Sequence, residues 1–186
     1  MEKIRTFLSL NLDNKSAETI KSYQNELKKC LSNYDIKWED PEKFHLTLRF
    51  LGNLRIENLE PLIFTCRRLS PDFDEIRYTT NGIGLFPGNK YPRVIFFSLN
   101  ESGNNTESLL SLIDKIIFNF GVKPEKRFIP HITVGRFKKN YRLFQENFKE
   151  FQGIEINFSS FFLMKSILKP TGSVYEVIEE FKFNRN

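Results

Sequence analysis

The chain contains two histidines, and both stand in the same local frame: His45 in FHLTLRFLG, residues 44–52, and His131 in IPHITVGRF, residues 129–137. Each is followed by an apolar residue, a threonine and another apolar residue, and the two lie 86 residues apart. Neutral imidazole accepts a proton and imidazolium gives one, and an ordinary pKa near 6.5 makes both forms accessible at cellular pH. Two imidazoles facing one cleft would therefore supply a base and an acid. The hydroxyls of Thr47 and Thr133 could donate to the nonbridging oxygens of a phosphate held between them, where charge grows during displacement. A single H-x-T-x string arises easily by chance, and a lone strand histidine is usually a hydrogen-bonded, partly buried residue. The pattern becomes informative because it occurs twice in a chain with no other histidine. Neither frame contains HExxH or a cysteine set, so no metal site is expected.

Strands must position these groups. On an extended chain side chains alternate, which puts Phe44, Leu46, Leu48 and Phe50 on an anchoring face and His45, Thr47 and Arg49 on the opposite one. The imidazole and hydroxyl then stand roughly 7 Å apart along one face. Ile132 and Val134 anchor the second strand in the same way, leaving His131 and Thr133 together. Strict alternation points Arg136 away from His131, but Gly135 immediately before it tolerates a bulge that could turn the arginine toward the cleft.

Around these strands the pattern predicts a strand over residues 5–12 and then a helix over 16–31, with Ile20, Tyr23, Leu27 and Leu31 at helical spacing. After the strand ended by Gly52 comes a short helix over 61–69. Two strands between Phe73 and Leu99 are joined through GLFPGNKYPR, whose glycines and prolines mark a long hairpin loop. A helix follows on Leu109, Leu112, Ile113, Ile116 and Phe120, with Asn105 or Thr106 to cap it and Gly121 to stop it. After HITVGRF, a helix is expected on Tyr141, Phe144, Phe148 and Phe151. The strands INFSSFFLMKSIL and SVYEVIEEF then close the chain around KPTG. The recurring order of strand, helix and histidine strand predicts an α+β fold of one two-lobed domain over residues 1–186. Two pseudo-symmetric, mostly antiparallel sheets would line a central cleft, with helices outside.

A chain of 186 residues can bury a substantial core without a cofactor or disulfide. Cys30 and Cys66 sit alone in helical patterns and read as structural residues in a reducing compartment. No apolar run has the form of a signal peptide or reaches membrane-spanning length, so a cytoplasmic protein is expected. The net charge of +5 suits anionic partners. Lys123, Lys126, Arg127, Arg136, Lys138, Lys139 and Arg142 surround the second motif with only Glu125 among them. Such a cluster fits either a solvated face or phosphate recognition.

These segments resemble the two-histidine phosphoesterase superfamily, and within it the bacterial and archaeal RNA 2′,3′-cyclic phosphodiesterases of the LigT type. The likeness covers nearly the whole chain: RTFLSLNL is similar to the opening strand, FHLTLRFLGN and PHITVGR to the two motifs, LFPGNKYPRVIFF to the middle hairpin and SILKPTGSVYEVI to the closing one. The resemblance implies a monomer that opens the 2′,3′-cyclic phosphate at an RNA end to a 2′-phosphomonoester without metal or other cofactor. It implies His45 as proton donor, His131 as proton acceptor, and Thr47 and Thr133 as phosphate ligands, although the symmetry of the motifs leaves the order of the histidines open. Arg136 matches an arginine that contacts phosphate or nucleotide. Phe7 matches an aromatic position that could stack on a base, though core packing is the safer reading in a chain with 20 phenylalanines. Alternatives are a phosphodiesterase for 2′,5′-linked oligonucleotides or small cyclic nucleotides, a 2′-5′ ligase of tRNA halves, and an RNA-binding module without turnover.

Overall fold

A computed structural model describes residues 2–124, 127–142, 148, 151–170 and 172–184. The opening strand β1 spans Lys3–Asn11. Helix α1 follows at Asn14–Cys30, where the Asp13 carboxylate accepts from the Ser16 N–H at 2.8 Å and so caps the first turn. Its inner face buries Ile20 and Leu27 and also the polar Gln24. Strand β2, Ile36–Trp38, was not anticipated, because three residues are too few to show a period. Strand β3 covers His45–Arg55 and helix α2 Leu59–Leu69.

Strands β4, Ile76–Phe86, and β5, Val94–Glu101, form the expected hairpin across the proline-rich loop. Helix α3 runs Asn105–Phe118. The Glu101 carboxylate receives the Thr106 N–H at 2.8 Å, a cap supplied from the preceding strand instead of by Asn105 or Thr106 themselves. Strand β6 is His131–Phe137. The helix expected on Tyr141, Phe144, Phe148 and Phe151 falls largely on 143–147, 149 and 150, outside the described residues.

The segment expected as one strand over 156–168 is two. Strand β7, Glu155–Phe158, ends at Ser159, and β8, Ser160–Lys169, pairs with β9, Gly172–Lys182. The break passes the chain from one sheet to the other. Alternation does not reveal it, since both halves are apolar strands.

The strands assemble into a four-stranded sheet in the order β3-β1-β8-β9 and a five-stranded sheet in the order β2-β6-β5-β4-β7. All pairings between these strands are antiparallel. Leu8, Leu46 and Leu48 of the first sheet share one buried core with Phe97, Ile132 and Val134 of the second. The edge strand β3 meets β6 where the sheets approach, which brings the two motifs together.

Helices α1 and α3 each leave one sheet and pack toward the other, whereas α2 stays with the sheet it leaves. α1 leaves β1 but lies against the five-stranded sheet, with the Tyr23 ring 6.0 Å from Phe97 of β5. α3 leaves β5, receives the Tyr78 hydroxyl on Thr106 Oγ1 at 2.9 Å, and reaches the four-stranded sheet at Asp114. α2 covers β9, where Arg67 pairs with Glu179 at 2.7 Å.

Candidate active site

His45 and His131 each open a strand, and both line one cleft of about 490 Å³ together with Thr47 and Thr133. The rings are held identically. His45 Nδ1 lies 2.7 Å from the Lys43 carbonyl, and His131 Nδ1 lies 2.7 Å from the Ile129 carbonyl. A carbonyl only accepts, so Nδ1 carries the proton in each ring and Nε2 is the atom left to exchange one. His45 Nε2 stands 3.1 Å from Thr47 Oγ1, so the neutral ring can accept the threonine hydroxyl.

Aromatic rings hold both imidazoles from behind. His45 packs against Phe7 at 5.2 Å and edge-on to Tyr175 at 5.4 Å. His131 meets Phe86 at 5.1 Å and Phe96 at 5.2 Å, and those two rings stack on each other at 4.1 Å. Burial, chiefly, together with the positive charges of His131 and Arg136, lowers the pKa of His45 below the ordinary histidine value, against the raising effect of its bond to Lys43. That electrostatic reach also ties the two motifs to one site.

Simple alternation fails at the same point in both strands. In β3, Ser9 pairs with Thr47 and Leu8 with Arg49, so Leu48 is an extra residue; in β6, Phe96 pairs with Thr133 and Ile95 with Gly135, so Val134 is extra. Each is a bulge that reverses the facing of the residues next after it, and in β3 a second shift at Leu51 restores the original facing by Leu54. Arg136 therefore joins His131 in the cleft, as a bulge at Gly135 allowed. The same device corrects the first motif. Phe50, expected on the anchoring face, is 54 % exposed and lines the cleft, while Arg49, expected beside His45, is 5 % exposed and turned into the protein. There its Nε and Nη2 donate to the Asp114 carboxylate at 2.6 and 2.9 Å.

Phe7 also borders the cleft, but at 3 % exposure its ring is wedged among His45, Phe50 and Tyr175 and offers little free face for stacking. Phe50 and Tyr175 were missed as cleft residues. Phe50 was hidden by the bulge, and Tyr175 lies on β9, far in sequence from either motif. The rim adds Arg5, Lys37 and Lys43 as cations and Glu39 as a carboxylate. Within the basic run around the second motif, Arg136 enters the cleft, Lys138 pairs with Asp35 at 2.8 Å, and Lys126 lies outside the described residues. Among the described residues no three His, Cys, Asp or Glu side chains group as a metal site. No helix among them is long and apolar enough to cross a membrane.

Relatives share this architecture over its full extent. The chain is 30 % identical over 182 residues to the RNA 2′,3′-cyclic phosphodiesterase of Methanocaldococcus jannaschii, covering 95 % of this chain and 99 % of that protein. It is 30 % identical over 190 residues to the protein of the same name from Thermotoga maritima, covering 97 % and 96 %. A crystal structure of a protein from Thermus thermophilus superposes with a TM-score of 0.81 at 27 % identity, covering 96 % of this chain and 97 % of that one. LigT of E. coli in its apo form has the same fold, with a TM-score of 0.81 at 18 % identity over all of both chains. The family profile described as LigT like Phosphoesterase matches residues 10–96, the span that carries the first motif and its bulge. With relatives aligned end to end across both histidine strands, this chain belongs to the LigT-like phosphoesterase family.

Proposed function

We propose that the protein hydrolyses the 2′,3′-cyclic phosphate at an RNA end to a 2′-phosphomonoester. The observation that carries this reading is the matched pair of imidazoles in one cleft, each locked with Nδ1 protonated and each followed by a threonine two residues on. The names of the relatives agree with it. His131 Nε2 takes a proton from water as the water oxygen attacks phosphorus. The bond from phosphorus to the 3′ oxygen breaks, and His45 Nε2–H protonates that oxygen. Thr47 and Thr133 donate to the nonbridging oxygens, and Arg136 adds a positive charge beside them. Each proton transfer is worth about 10²- to 10⁴-fold in rate.

The lowered pKa of His45 fits a donor that is charged by its substrate. In the free protein, burial and the cation Arg136 oppose imidazolium, as would a proton on His131. An incoming phosphate anion offsets that positive charge and favours proton uptake at Nε2. Cys30 and Cys66 are free thiols, which fits a reducing, cytoplasmic setting.

The test uses 2′,3′-cyclic AMP and a cyclic-ended oligoribonucleotide, with product identified by chromatography. A 2′-phosphate is expected; a 3′-phosphate would reject the assigned leaving group. A cyclic substrate with sulfur in place of the 3′ bridging oxygen separates the two histidines, because a thiolate leaves without a proton. His45→Ala should regain most of its activity on that substrate and His131→Ala should not. The reverse pattern would exchange the two roles.

A further inference from the structure

We infer that Arg49 and Gln24 are positioning residues, each clamping one of the two bulges and so aiming the cleft-facing side chain that follows it. This rests on the phosphodiesterase reading. Each bulge takes a carbonyl out of its regular place in the strand ladder, and a buried carbonyl needs a donor. In β3 the Leu48 carbonyl accepts from Arg49 Nη1 at 2.9 Å. In β6 the Val134 carbonyl accepts from Gln24 Nε2 at 2.9 Å and from the Glu39 N–H at 3.0 Å. Gln24 gives its other amide hydrogen to the Glu39 carbonyl at 2.7 Å, and so ties β2 to the same point.

The two clamps differ because their surroundings differ. β3 is a sheet edge, so the residue after the bulge has room to fold its own guanidinium back, where Asp114 and the Phe128 ring, 5.8 Å away, hold it. In β6 that position is Gly135. A Cβ there would meet Trp38 at 3.0 Å and Ile36 at 3.1 Å, so no side chain can serve and the donor arrives from α1 instead. Gln24 is wholly buried, and its Oε1 has no partner among the described residues. An apolar residue would avoid that orphaned acceptor, so packing alone does not account for a glutamine here. Phe128 stands three residues before His131, so the Arg49 clamp also braces the approach to the second motif.

Mutant cycles on KM distinguish positioning from a general contribution to folding. With 2′,3′-cyclic AMP, Gln24→Met should raise KM about tenfold, leave kcat within about threefold, and keep both limbs of the pH profile. Combined with Arg136→Met, it should add nothing to the KM of Arg136→Met alone, since both act through one contact. The Arg49 arm uses Arg49→Met with Asp114→Leu, which removes the clamp without stranding a carboxylate, set against Phe50→Ala in the same way. It decides the matter by itself if Gln24→Met fails to fold. Additive KM losses, an unchanged KM, or a loss confined to kcat in either arm would overturn the proposal. A wild-type protein inert on every 2′,3′-cyclic nucleotide would instead sink the phosphodiesterase reading.

Discussion

Strands β3 and β6 share a backbone plan and differ in what it presents. Both begin on a histidine whose Nδ1 is tied to the carbonyl two residues earlier, both carry threonine next on that face, and both bulge one residue later. After the bulge they part. β3 shows the cleft an aromatic ring, Phe50, and β6 a cation, Arg136. The residue between is an inward arginine in one and a glycine in the other. A repeated frame can thus make a near-symmetric proton-transfer pair while the flanks grip unlike parts of one ligand: Arg136 suits phosphate, and Phe50 suits a base.

The sharpest way to break this comparison is to remove one histidine at a time. His45→Ala and His131→Ala should each lower kcat on 2′,3′-cyclic AMP by about 10²- to 10⁴-fold, and the double variant should fall well short of the product of the two losses. Equal survival of both single variants would end the acid and base account. Next is the contrast between the arginines. Arg49→Ala should destabilise the fold by about 3 kcal/mol in urea unfolding, because it strands the Asp114 carboxylate. Arg136→Ala should shift the same curve by less than about 0.5 kcal/mol, as expected for an exposed side chain.

Gly135→Ala should cost about 1 to 3 kcal/mol by pressing on Trp38 and Ile36. It should also weaken substrate binding, because Arg136 is the next residue. On an oligoribonucleotide, Arg136→Ala should reduce the salt dependence of binding by about one phosphate contact, whereas Phe50→Ala should weaken binding equally at all salt concentrations.

The smallest effect concerns pH. The folded pKa of His45 is lowered, chiefly by burial, so its contribution to stability is fully present above the unfolded value near 6.5. It is lost as pH falls through the lowered folded value. The melting temperature should therefore decline below about pH 6.5 more steeply in the wild type than in His45→Gln. Parallel curves would show that His45 charges in the fold as easily as in the unfolded chain.

Much of this was readable in the chain itself. The strand spacing around His45 and His131, the helical period of Ile20 and Leu27, and the proline-rich hairpin loop are local signals, and each produced the expected element. The division of FHLTLRFLG into two faces held as far as Leu48, because alternation follows from extended geometry alone. It failed at Arg49 and Phe50, because a bulge depends on the partner strand and on groups remote in sequence, such as the Asp114 carboxylate that accepts from Arg49. The split at Ser159 was hidden for a related reason, since only sheet pairing distinguishes β7 from β8.

The sequence by itself thus determined the chemistry on offer: two imidazoles, two hydroxyls and the strands that carry them, all properties of residue type and short-range spacing. Tertiary structure alone decided which flanking side chains join them. Register, burial and the crossing of α1 and α3 are set by contacts between distant segments, and these turned Arg136 and Phe50 toward the cleft and Arg49 away from it.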